Sequence, residues 1–252
     1  MKTTGNTILL TGGGSGIGRR LAQRWHDAGN VVIVTGRTLS SLQETIEGRA
    51  NLHARMLDVT DPAAIAAFAS AILAEFPALN VLVNNAGIMR FENLTARRNL
   101  ADAEATIATN LLGPIRMTNA FVDHLAQQAD AAIVNVSSGL AFVPLVAAPA
   151  YSATKAAIHS YSQSLRHQLA GSVEVIELAP PGVQTDLTPG QATRANYLPL
   201  KVYIDQTMAL FAQFPTPSEV LVPTVVLLRD AEAEHRYPDV FTMVNSHRGH
   251  NG

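Results

Sequence analysis

The chain has 252 residues, with 18 Lys and Arg against 20 Asp and Glu, so its net charge is −2 and no basic run offers a nucleic-acid surface. It contains no cysteine, which excludes disulfides, thiol nucleophiles and thiolate metal sites. No apolar run is long enough to span a bilayer, and residues 1–10 lack the long apolar core of a signal peptide, so one cytoplasmic α/β domain over 1–252 is expected.

Residues 7–10 read as a short buried strand. Thr11-Gly12-Gly13-Gly14-Ser15-Gly16-Ile17-Gly18 follows and opens a helical pattern over 19–28 that stops at Gly29. Strand, glycine loop, helix is the setting that suits a dinucleotide: glycines let the backbone approach a pyrophosphate, and free N–H groups at the helix start meet its charge. A plain flexible turn is the alternative. Residues 31–34 read as a second strand, and Thr35-Gly36-Arg37 lies just past its end, where this fold meets the adenosine ribose. A small neutral segment followed by a guanidinium favours NADP over NAD, against Arg37 as a merely solvated residue.

The period repeats. Residues 52–57 form a strand ending in Asp58-Val59, then Asp61 caps an alanine-rich helix that has Pro62 in its first turn and runs to Phe76. Residues 79–83 are a fourth strand closing with Asn84-Asn85-Ala86-Gly87. A long helix over 100–128 is expected, kinked at Gly113-Pro114. It contains Asn110, whose buried amide suits structural bonding and catalysis equally. Residues 131–136 are a fifth strand followed by Ser137-Ser138-Gly139 and an apolar loop, 140–146.

The helix over 149–169 places Tyr151 and Lys155 on one face. A phenol titrates near pH 10, and an ammonium one turn away is expected to draw it towards about 7. Alone, Tyr-x-x-x-Lys is usually an ordinary exposed pair. Residues 173–178 are a sixth strand, leading to Ala179-Pro180-Pro181-Gly182-Val183-Gln184-Thr185. The pattern then loosens over 186–217 around an apolar helical piece, 197–214, read as a substrate lid or a surface insertion. Ser218 is expected to cap a helix to about 228, and 240–244 to form a last strand. The eight histidines are scattered without metal-ligand spacing, so no metal is expected.

With the glycine loop, Asn84-Asn85-Ala86-Gly87, Asn110, Ser138, Tyr151 and Lys155 in this order, the chain resembles the short-chain dehydrogenase/reductase superfamily over nearly its whole length. Ser-Gly-Leu-Ala-Phe-x-Pro-Leu from Ser138, with Leu-Arg-His-Gln-Leu at 165–169, is more similar still to the DltE-like oxidoreductases. The resemblance implies a Rossmann-type doubly wound parallel sheet of about seven strands with helices on both faces. It implies an oxidoreductase that interconverts a ketone or aldehyde and an alcohol by hydride transfer with NADP, NAD being the runner-up.

Residue by residue, the resemblance makes Tyr151 the proton donor and Lys155 the group that lowers its pKa and bonds the nicotinamide ribose. Ser138 holds the substrate oxygen, and Asn110 fixes a water that relays protons to Lys155. Gly12, Gly14, Ser15, Gly16, Ile17 and Gly18 take the pyrophosphate. Arg37 takes the 2′-phosphate, and Asp58 and Val59 take adenine. Asn85, Ala86 and Gly87 lie under the riboses, and Pro181, Gly182, Val183 and Thr185 orient the nicotinamide. Two departures stand out: Ser15 sits where many NADP-dependent members carry a basic residue, and 231–252 lacks the acidic-Gly-Gly ending of many tetrameric members. A homodimer or homotetramer is nonetheless expected, acting on a small apolar substrate; Leu140, Phe142, Leu145, Tyr197, Leu198 and Phe211 read as its pocket wall, with core packing the alternative for some of them. The competing readings are a non-catalytic dinucleotide sensor or scaffold, and an epimerase or dehydratase on the same fold.

Overall fold

Short runs rich in Val, Ile and Leu lie side by side in the computed structural model, which describes residues 1–246. The strands are β1 (Thr7–Thr11), β2 (Val31–Gly36), β3 (Leu52–Met56), β4 (Val81–Asn84), β5 (Ala132–Val136), β6 (Glu174–Leu178) and β7 (Glu219–Val220). They form one parallel seven-stranded sheet in the order β3-β2-β1-β4-β5-β6-β7. The connections are the helices α1 (Gly16–Asp27), α2 (Leu39–Ile46), α3 (Pro62–Glu75), α4 (Ala101–Ile107), α5 (Gly113–Leu125), α6 (Pro149–Gln168) and α7 (Leu200–Phe211), with α8 (Pro223–Arg229) and α9 (Tyr237–Ser246) closing the chain. None of the described helices is long and apolar enough to cross a membrane.

Side chains alternate across each strand, so both faces of the sheet are apolar and both are covered. Leu10, Val32 and Val34 pack against Leu21 and Trp25 of α1, Leu42 of α2 and Tyr203 and Phe211 of α7. Trp25 meets Phe211 edge-on at 5.4 Å between ring centroids. On the other face Leu9, Ile33 and Leu82 pack against Ile72 of α3 and Phe121 and Leu125 of α5. Buried amides tie the middle together: Asn84 Nδ2 donates to Asn135 Oδ1 at 2.9 Å, and Asn135 Nδ2 to Ser162 Oγ of α6 at 3.0 Å. The strand order reverses between β1 and β4, which opens a crevice beyond the strand ends.

One expectation is refined and two are corrected. The long helix expected over 100–128 runs unbroken over 101–125, with a π-helical turn at Ala108–Leu112 between α4 and α5. Pro114 brings no N–H to the ladder, and the extra residue in the turn absorbs that loss. Ser218 caps no helix: its carbonyl accepts from Glu177 N at 2.9 Å, which makes the next two residues the edge strand β7. Residues 240–244 are helical, because Val240 and Val244, four apart, present one face to a cluster with Val143 and Ala231. Part of the terminal segment read as lacking an acidic-Gly-Gly ending, 247–252, lies outside the described residues.

Asp61 does cap α3, accepting from Ala63 N at 2.9 Å and Ala64 N at 3.0 Å. Asp61→Ala should therefore lower stability by about 1 kcal/mol, read as a shift of the urea midpoint at unchanged slope.

Candidate active site

The crevice begins at the turn from β1 into α1. Gly12 has φ +70°, and Gly18 sits where any Cβ would collide with Gly12 O and Asn85 Nδ2. Asn85 locks the two halves of the sheet by donating from Nδ2 to Thr11 O at 2.9 Å and Gly12 O at 3.1 Å. The first N–H groups of α1 face the loop without a side-chain cap from Ser15. This cradle fits a pyrophosphate.

Past β2, Arg37 is exposed and lines the same crevice. No carboxylate bonds it among the described residues. Asp58 faces it at longer range. Burial pushes the Asp58 carboxyl up, but the Thr60 N–H and O–H, at 2.9 and 2.8 Å, and the Arg37 charge hold it below its usual range.

At the other end, α6 and the end of β5 converge. Lys155 is buried and donates from Nζ to Val136 O at 2.8 Å. Burial lowers its pKa to about 8, with Glu177 opposing the fall. Tyr151, one turn earlier, is pushed up to about 12 by burial, with hydrogen bonding to Ser138 opposing. The expectation that Lys155 draws Tyr151 towards 7 is not met in this arrangement. The ammonium lies over the phenol ring, 5.5 Å from its centroid, and spends a hydrogen bond on Val136 O. Ser138 Oγ accepts from Leu140 N at 3.1 Å, which fixes the loop above the phenol.

Asn110 stands in the π-helical turn with no solvent exposure. Its amide is committed: Oδ1 accepts from Ile88 N at 2.9 Å, and Nδ2 donates to Ile88 O at 2.8 Å. It anchors the wall behind Lys155 and does not face the crevice.

The crevice encloses about 460 Å³, and all the predicted site residues line it except Asn110 and Gly182. Gly182 has another role: the Tyr197 ring lies 3.0 Å from where a Cβ would be, so glycine is what lets that ring seat on the backbone. The expected apolar wall is largely elsewhere. Phe211 is in the core, Leu198 packs against it, and Phe142 lies under Arg229 and beside His159. Leu140 and Leu145 do pack against Tyr151, together with Met89.

Residues not named singly from sequence also line the crevice, among them Ile88 and Arg90, with Leu187 and Gln191 from the segment read as a lid. Arg90 follows Asn84-Asn85-Ala86-Gly87 by three residues, close enough for that motif to have pointed to it. Gln191 had no such signal. It is buried, with Nε2 donating to Val183 O at 2.9 Å and Thr185 Oγ1 at 3.1 Å, and so pins the start of the 186–217 segment to the site.

Burial of Lys155 carries a stability cost that pH reveals. Below about pH 8 both folded and unfolded lysine are protonated, and the cost is full. Between about 8 and 10.5 the folded amine sheds its proton before the unfolded one does, so stability should rise. Lys155→Met should thus be more stable than the parent at pH 7, by on the order of 1–3 kcal/mol. Thermal unfolding across pH 7–10.5 should show that advantage shrinking as the pH rises.

A family model for short chain dehydrogenases matches residues 6–196. The uncharacterized oxidoreductase DltE of Bacillus subtilis (strain 168) is 48% identical over 191 residues, covering 74% of this chain and 75% of that protein. The NADP-dependent 3-hydroxy acid dehydrogenase YdfG of Shigella flexneri is 34% identical over 175 residues, 69% of this chain and 71% of that one. Among solved structures, a short chain dehydrogenase from Burkholderia cenocepacia J2315 in complex with NADP superposes with a TM-score of 0.83 at 24% identity, covering 97% and 99% of the two chains. The closed form of a serine dehydrogenase complexed with NADP+ gives 0.75 at 27% identity, over 84% and 90%.

Proposed function

The chain belongs to the short-chain dehydrogenase family, and from that premise we propose that it reduces a ketone or aldehyde to an alcohol with NADPH, and runs the reverse reaction. The observation that carries the reading is the meeting of Ser138, Tyr151 and Lys155 on one wall of a crevice whose far end is a glycine cradle. A dinucleotide held along the crevice would supply the hydride. Ser138 Oγ donates a hydrogen bond to the carbonyl oxygen and holds it against the phenol. Tyr151 gives that oxygen its proton, and its raised pKa keeps the donor protonated at neutral pH. Lys155 stabilises the phenolate left behind. Since the Asn110 amide is already bonded, its backbone carbonyl in the loosened π-helical turn is the group left to hold a relay water.

NADP is the cofactor this reading selects. Arg37 has its guanidinium free for a 2′-phosphate, the Burkholderia cenocepacia protein holds NADP, and YdfG is NADP-dependent. Of the segment 186–217 read as a lid, residues 186–199 are the part that closes over the substrate, with Leu187 and Gln191 on the crevice wall, while α7 packs into the core behind them. The exposed Leu100, Ile107 and Leu112 along one stretch suit burial in a homodimer or homotetramer.

Tyr151→Phe should cut carbonyl reduction by about 10²–10⁴ and leave NADPH binding within a few-fold, as read by nucleotide fluorescence titration. A variant that keeps half the activity rejects the assignment. For the cofactor, Arg37→Asp should lower the NADPH/NADH ratio of kcat/KM by at least about tenfold. An unchanged ratio would make Arg37 a surface residue.

A further inference from the structure

Glu177 is a carboxylate with no solvent exposure, near the end of β6, between β5 and the edge strand β7. Such a group is costly to bury unless its charge is answered. Ser137 Oγ donates to its Oε1, and His159 Nδ1 lies 2.7 Å from its Oε2. His159 Nε2 is in turn 2.8 Å from Gln163 Nε2, so the ring accepts there and donates to the carboxylate from Nδ1.

These partners adjoin the catalytic groups. Ser137 is the residue before Ser138, and Val136 before it supplies the carbonyl that holds Lys155. Lys155 and His159 are four apart on α6 and share a face. Asn135 and Glu177 are opposite one another in the β5–β6 register. We propose that Glu177, steadied by His159 and Ser137, is a positioning residue that keeps Lys155 cationic and fixes the strand end presenting Ser138, an inference that rests on the Tyr151 and Lys155 roles above.

The surrounding charges favour this pairing. Glu177 contacts His159 of α6 directly, feels Lys155 of α6 and Arg229 of α8 at longer range, and has Glu219 of β7 as its register partner, with Arg166 of α6 acting on Glu219. Arg229 donates to both oxygens of Glu219, at 2.7 and 3.1 Å, and is thereby committed. His159, Glu177 and Glu219 do bring three donor atoms within 4.8 Å of one another, from elements too far apart in sequence to show as a motif. With Arg229 answering Glu219, the charge left over is that of Glu177, and its field reaches the buried Lys155, one turn before His159 on α6. Against the fall that burial imposes on Lys155, Glu177 is what raises it.

The chain has three lysines, and the other two, Lys2 and Lys201, have exposed side chains. Lysine labelled with ¹³C at Cε therefore lets NMR follow Lys155 through a pH titration without turnover. Glu177→Gln should lower the Lys155 midpoint by about one pH unit. His159→Arg, which sets a permanent cation against the carboxylate, should lower it by at least about half as much. His159→Gln, with the anion intact, should not lower it. In the activity assay Glu177→Gln should lose carbonyl reduction progressively from pH 6 to 8.5, reaching about a tenfold deficit. An unchanged Lys155 midpoint in folded Glu177→Gln overturns the proposal. If that variant does not fold, an unchanged midpoint in His159→Arg overturns it instead. A parent protein without carbonyl reduction would reject the Tyr151 reading, while the midpoints still decide whether Glu177 sets the charge on Lys155.

Discussion

The hydrogen bond from Lys155 Nζ to Val136 O is the fastening on which the catalytic end depends. A buried ammonium has few places to put its three protons, and a strand-end carbonyl is one that cannot move. By taking it, Lys155 pins the start of α6 to the end of β5. Tyr151 is one turn back along the same helix, and Ser138 is two residues on from the carbonyl, so both inherit their places from this bond. Asn85 does the equivalent work at the other end, joining the β4 exit to the glycine turn.

The two ends of the crevice are built on different principles. The glycine end uses backbone, with N–H groups at a helix start and no side chain in the way. The α6 end uses side chains held against their own solvation. Burial acts on both members of its pair in the same sense, disfavouring charge, and so drives Lys155 down and Tyr151 up. A neutral phenol and a reluctant ammonium suit a group that must give away a proton and then tolerate the anion that remains.

What the sequence makes legible is what local chemistry fixes. Most of the first six strands are apolar runs bounded by turn residues, the Asp61-Pro62 start of α3 is a cap with its own spacing, and Tyr151 and Lys155 are separated by one helical turn. The failures share a cause in tertiary contact. β7 spans two residues, Glu219–Val220, and is a strand only because β6 is beside it. Val240 to Val244 carries no period long enough to tell a strand from a helix, and the packing against Val143 decides. The seating of the Tyr197 ring on Gly182 is likewise tertiary, and nothing local in the Pro-Pro-Gly turn shows it. The state of the Tyr151 phenol was misread for a like reason, since spacing on a helix gives proximity to an ammonium but not the depth of burial around both.

The strand order has a bearing on how the chain reaches this state. β1 lies between β2 and β4, so it has one neighbour within the next few dozen residues and the other not until residues 81–84. While the chain emerges from the ribosome, β1, β2 and β3 can pair as a half-sheet whose β1 edge is bare and apolar. Each later strand adds at one edge only, in sequence order, from β4 to β7. Until β4 pairs with it, that edge stays open, and an open apolar edge is a template on which a second unfinished chain can add and begin to aggregate.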